Sequence, residues 1–181
     1  MSKIKKIILS ALLLAVLIVL SRFISIKTEI LVISLSFIPV MMSAIWLGPK
    51  YSAAISGLGD LIGAILFPFG PYFPGFTISS IISGLVYGLF LYNHGKKFEN
   101  NKKFILRLIL SSMIVLFVVN IFISSLWIHI LYGKAYFAVL LSRVVTQIIM
   151  LPIHVIVIYA IEKFTRPFFE KYLNNEEEEI E

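Results

Sequence analysis

From Ile7 to Leu20 the chain reads IILSALLLAVLIVL, with one serine and no charge. A helix apolar on every side has no face for water, so it is either buried in a large interior or set in lipid. The interior is not available. The chain has 181 residues, 59% of them hydrophobic, and a mean hydropathy of +0.96. One soluble core of that size cannot hide so much apolar surface. Further stretches approach or exceed the roughly 20 apolar residues that cross a bilayer. The sequence therefore predicts an all-α, polytopic membrane protein.

Six transmembrane helices are expected: Ile4 to Ile24, Ile30 to Leu47, Tyr51 to Phe67, Thr77 to Tyr92, Phe104 to Leu131 and Ala138 to Phe164. Gly48-Pro49-Lys50 reads as a tight turn, and His94 to Lys103 is the one clearly polar connection. Residues 1–173 form a single domain in this reading. The glutamate-rich tail, 174–181, reads as solvated and disordered. The basic start resembles a signal peptide, but the apolar run is too long and ends in Ser21-Arg22-Phe23 rather than a small-residue cleavage site, so it reads as an uncleaved first helix.

Charge gives an orientation. With the N-terminus inside, the inner segments hold Lys3, Lys5, Lys6, Lys50, Lys96, Lys97, Lys102, Lys103, Arg107, Lys163, Arg166 and Lys171, against Arg22, Lys27, Lys134 and Arg143 outside. Twelve against four places both termini in the cytoplasm by the positive-inside rule. The net charge of +6 is then a topology signal and not a nucleic-acid footprint.

Several chemistries are excluded. There is no cysteine, hence no disulfide and no thiolate site. No phosphate loop, H-E-x-x-H or G-x-S-x-G motif occurs. His94, His129 and His154 fall at different depths, which argues against a shared metal site. His154 reads as a satisfied polar group inside the membrane. No enzymatic activity and no covalent cofactor are expected.

Small residues at spacing four mark helix contacts. They are Gly59-x-x-x-Gly63 and Ser56-x-x-x-Asp60-x-x-x-Ala64 in span three, and Ser80-x-x-x-Gly84-x-x-x-Gly88 in span four. Ala11-x-x-x-Ala15 in span one suits either internal packing or a partner protein.

The candidate site gathers at the outer end. Asp60 lies seven residues before Phe67, about 10 Å deep, where an ionisable group needs a partner or a wet cavity. Two readings stand, a structural pair with an arginine and a direct contact to a ligand. Arg22 suits snorkelling to headgroups or ligand binding. Arg143 and Gln147 share a helix face and carry a polar stripe inward. The loop FPFGPYFPGF, Phe67 to Phe76, sets Tyr72 and Phe76 among prolines that stiffen it. A stacking platform explains that rigidity better than a simple aromatic belt. Thr77 reads as the N-cap of span four, presenting a helix N-terminus to an anion. Trp127 stacks on a ligand or sits in the belt. A flat aromatic ligand with anionic groups and an amidine-like edge suits this set.

The stretches GLGDL (57–61) and FPFGPYFPGFT (67–77), with LWIHILYGKAYFAVLLSRVVTQIIMLPIHV (126–155), resemble the folate-specific substrate-binding subunits, or S components, of energy-coupling factor transporters. The resemblance implies a folate-binding subunit of the prokaryotic cytoplasmic membrane. Ala11 and Ala15 would form the face for a transmembrane coupling protein, and two cytoplasmic ATPases would use the ATP. Asp60 or Gln147 would meet the pterin edge, and Arg22 and Arg143 would meet carboxylates or polarised carbonyls. Tyr72, Phe76 and Trp127 would stack, and Thr77 would donate a hydrogen bond. The alternative within the class is another vitamin or modified base: riboflavin, thiamine or a queuosine-type precursor. Outside it stand a small intramembrane enzyme, which predicts turnover, and an ion-coupled transporter, which predicts uptake by this chain alone.

Overall fold

The computed structural model describes residues 1–27, 32–93 and 101–169. The predicted start of span two at Ile30, most of the polar connection with His94, and the acidic tail lie outside the described residues.

Helix α1 (Lys3–Arg22) begins at Ser2, whose hydroxyl accepts from the Lys5 amide at 3.3 Å. Only Leu13 and Leu17 of this helix are fully buried, while Ile4, Ile7, Ile8 and Leu12 are exposed. A whole apolar face left open in this way suits lipid rather than water. A small antiparallel hairpin follows, β1 (Ser25–Lys27) and β2 (Val32–Ser34), with Ile26 opposite Ile33. Next come α2 (Phe37–Leu47), α3 (Pro49–Leu66) and α4 (Pro74–Leu91). A continuous rod then runs through α5 (Asn101–Met113), a π-helical segment (Ile114–Ile123) and α6 (Ser124–Tyr132). Helix α7 (Tyr136–Phe169) ends the described chain.

Hydropathy misreads one region. The sequence predicts one span from Ile30 to Leu47, but Val32–Ser34 form a strand of the hairpin and only the eleven residues Phe37–Leu47 are helical. Eleven residues rise about 16 Å, half of the ~30 Å hydrocarbon core. The β-branched residues Val32 and Ile33 favour a strand yet score as apolar, so hairpin and helix merge in a hydropathy window. Pro39 is tolerated because it sits in the first turn of α2. Among the described residues four helical rods are long and apolar enough to cross a membrane: α1, α4, the α5–α6 rod and α7.

The rods alternate in direction. At one end Gly48 lies against the Tyr92 ring. At the other, Phe23 meets Phe67 edge-on at 5.0 Å. The small-residue stripes of α3 and α4 pack as expected. A Cβ on Gly84 would sit 2.8 Å from the Ser52 carbonyl carbon, and one on Gly88 2.7 Å from the Pro49 nitrogen. The Ser56 hydroxyl ties the two helices by donating to the Ser80 carbonyl at 2.7 Å. Ala11 and Ala15, by contrast, are exposed, so internal packing does not use them. Met41, Leu91, Leu108, Leu116 and Ile158 are fully buried at the centre. A cavity inside the bundle reaches β2 and the start of α2 at Ser34, Ser36 and Phe37.

Candidate functional site

Two adjoining cavities open toward the hairpin end. The outer one, about 560 Å³, is walled by the loop between α3 and α4, including Phe69, Tyr72 and Phe73, and by Phe76 and Tyr132. The deeper one, about 270 Å³, reaches Phe37, Tyr87, Gln147 and His154. Both are near or within the ~300–1,000 Å³ of small-molecule sites. Arg22, Asp60, Ser80, Ser83, Asn120 and Arg143 line both, so they form the neck between them.

Asp60 and Arg22 pair across α3 and α1. Arg22 Nη2 donates to the Asp60 carbonyl at 3.1 Å and lies 3.7 Å from Asp60 Oδ1, with side chains 10% and 25% exposed. Gly63 makes room, since a Cβ there would lie 3.1 Å from the guanidinium carbon. Arg22 also lies over the Phe69 ring at 6.0 Å. Asp60 is thus a structural partner and a cavity wall at once. A carboxylate has about four acceptor positions, so capacity remains toward the neck.

Thr77 differs from expectation. Helix α4 starts at Pro74, and Phe73 is its N-cap without a side-chain bond. Proline fits the first helical position, where its missing N–H costs nothing and its φ is preset. Thr77 sits within the first turn and donates to Asp60 Oδ2 at 2.8 Å. Its hydroxyl is shared with Tyr72 at 3.2 Å. With the Thr77 proton spent on Asp60, the Tyr72 hydroxyl is the donor in that pair. The aromatic loop, the first turn of α4, α3 and α1 are therefore joined in one polar chain.

Trp127 stands behind the outer cavity rather than on its wall. Its Nε1 donates to the Ser79 hydroxyl at 2.9 Å, and its ring lies 5.6 Å from Phe73. Arg143 is buried and its Nη1 donates to the Asn120 carbonyl at 2.6 Å. Gln147, one turn on, is buried at the deeper cavity. His154 closes the floor, stacked on Phe37 at 3.8 Å with its Nδ1 3.4 Å from the Tyr87 hydroxyl. That agrees with a satisfied intramembrane histidine.

The structure thus gathers Arg22, Asp60, Tyr72, Phe76, Arg143 and Gln147 on the cavities. Thr77 and Trp127 lie one contact behind. The sequence reading missed Asn120 and the serines Ser80 and Ser83. Serines in an apolar span read as packing residues, but a lone amide within VLFVVNIFI is itself a signal of a lined cavity.

Residues 5–162 match the family described as "ECF transporter, substrate-specific component". The chain belongs to that family. A protein of Clostridium novyi (strain NT) named folate transporter FolT is 38% identical over 159 residues, 88% of each chain. A folate transporter FolT of Leuconostoc mesenteroides is 32% identical over 160 residues, 86% of this chain and 83% of that one. A solved structure described as "Crystal structure of FolT bound with folic acid" superposes with a TM-score of 0.76 at 36% identity, over 86% of this chain and 90% of that one. A substrate-specific component needs a substrate chamber, and the paired cavities at the hairpin end are where this one has room for it.

Proposed function

We propose that this substrate-specific component binds folate in the paired cavities and passes it inward when docked to a transmembrane coupling protein driven by two ATPases. The observation that carries the reading is the neck itself. Arg22 and Arg143, both nearly buried, flank a passage between an aromatic outer chamber and a polar inner one. Guanidinium groups suit carboxylates because their planar forks can donate two hydrogen bonds. The names of the FolT relatives supply the ligand.

In this reading Asp60 or Gln147 meets the aminopyrimidine edge of the pterin, and the arginines meet carboxylates or carbonyls. Tyr72 and Phe76 stack from the outer chamber. Trp127 supports Phe73 from behind, and Thr77 sets the orientation of Asp60. The hairpin end faces outside a prokaryotic cell membrane and both termini face the cytoplasm, supported by the lysine and arginine distribution. The bundle crosses six times, α2 with the help of the hairpin. Ala11 and Ala15 form the coupling face, which their exposure supports.

The test is folate binding by Arg143→Met, measured by calorimetry on the detergent-purified chain beside wild type. At least a tenfold loss of affinity with an unchanged helical circular dichroism spectrum is expected. Wild-type affinity in Arg143→Met would remove the guanidinium from the site.

A further inference from the structure

The π-helical segment Ile114–Ile123 is an unusual element in the middle of an apolar span. Longer π-helical runs are rare, and π turns concentrate at functional sites. Its second half has a distinctive bonding pattern. The Val119 carbonyl accepts from the Ser124 hydroxyl at 3.1 Å, five residues on. The Asn120 carbonyl accepts from Arg143 at 2.6 Å, and the Phe122 carbonyl from the Tyr136 hydroxyl at 3.5 Å. Three carbonyls of one turn thus take side-chain donors. Two of the donors, Tyr136 and Arg143, are seven residues apart on one face of α7. A side chain that bonds into the helical ladder is one of the recognised causes of local unwinding.

The consequence falls on Asn120. Its main chain holds Arg143, while its half-buried side chain lines both cavities. Among the described residues that side-chain amide has no hydrogen-bond partner, although it carries both donors and an acceptor. A polar side chain that opens on a cavity inside an apolar bundle is available to whatever occupies that cavity. We propose that Asn120 is a ligand-recognising residue of the neck. Its amide bonds an uncharged polar edge of the bound molecule, and the π segment turns amide and carbonyl together toward Arg143. This rests on the folate reading above and adds a contact to it. Arg143 recognises charge, whereas Asn120 recognises a neutral donor–acceptor edge beside it.

The experiment is a folate titration of the full-length chain carrying Asn120→Leu, with Asn120→Ser measured alongside, by calorimetry in detergent. Leucine keeps the volume and removes the amide. Serine keeps a polar group too short to reach the same edge and is the milder change for folding. The expected result is a loss of affinity of tenfold or more in each variant that purifies folded, with a ligand-free melting temperature equal to wild type. A merely structural role would lower that temperature and leave the affinity of the folded fraction intact. Affinity within twofold of wild type in either folded variant overturns the proposal. Failure of wild type itself to bind folate would instead remove the folate reading.

Discussion

At the scale of single residues, the candidate site is built around Asp60 and the two groups that reach it, Arg22 and Thr77. The Asp60 carboxylate is tolerated within α3 because Arg22 supplies the counter-charge and Thr77 a hydrogen bond. Removing one member leaves the others unpaired, which costs more than the bond was worth. Asp60→Asn is therefore expected to weaken folate binding at least tenfold, about 1.4 kcal/mol, in a calorimetric titration. Unchanged affinity would remove Asp60 from the site. Thr77→Val deletes only the hydroxyl between Tyr72 and Asp60. It should lower affinity about fivefold, in line with the ~1 kcal/mol of an ordinary hydrogen bond, and Tyr72→Phe should do less. These charged residues were legible in the sequence because a charge in an apolar run is conspicuous. Asn120 was legible by the same rule, as a lone amide in an apolar run, whereas the neck serines were not, since small polar residues in such runs also serve helix packing.

At the scale of elements, glycine and serine set how closely α3 and α4 approach. Gly84→Leu would drive a side chain into the backbone at Ser52 and Ala53, where no flexible group can yield. Overpacking of this kind costs about 1–3 kcal/mol or more. A clear fall in melting temperature by circular dichroism in detergent is expected. Ala54→Leu, at an exposed position of α3, is the control and should melt with wild type. Spacing of four made these contacts readable in advance. The hairpin and the short α2 were not readable, because β-branched residues raise hydropathy whether they fold as strand or helix. The difference falls beside the deeper cavity, which Ser34, Ser36 and Phe37 help to line. The start of α4 was misplaced for a local reason, since Pro74 opens the helix and leaves Thr77 free to turn toward α3.

At the scale of the whole molecule, the cavities and the exposed small-residue face of α1 are set apart. The cavities lie at one end, and the Ala11–Ala15 face lies open along α1. Ala11→Trp and Ala15→Trp should leave folate affinity of the isolated chain within twofold of wild type while abolishing co-purification with a coupling protein. Loss of folate binding would instead tie that face to the cavity. Orientation is open to a clean test because the chain has no cysteine. Cysteine introduced at Lys134 should react with an impermeant maleimide from outside intact cells, and cysteine at Lys50 only after lysis. The reverse pattern would invert the proposed topology.

Whether the paired cavities hold folate is tested by direct titration of folate into the purified full-length chain. The expected result is saturable binding of one folate per chain, undisturbed by excess riboflavin or thiamine and accompanied by quenching of tryptophan fluorescence. Neither heat nor quenching from a preparation with an intact helical spectrum, or displacement of folate by either vitamin, would contradict it.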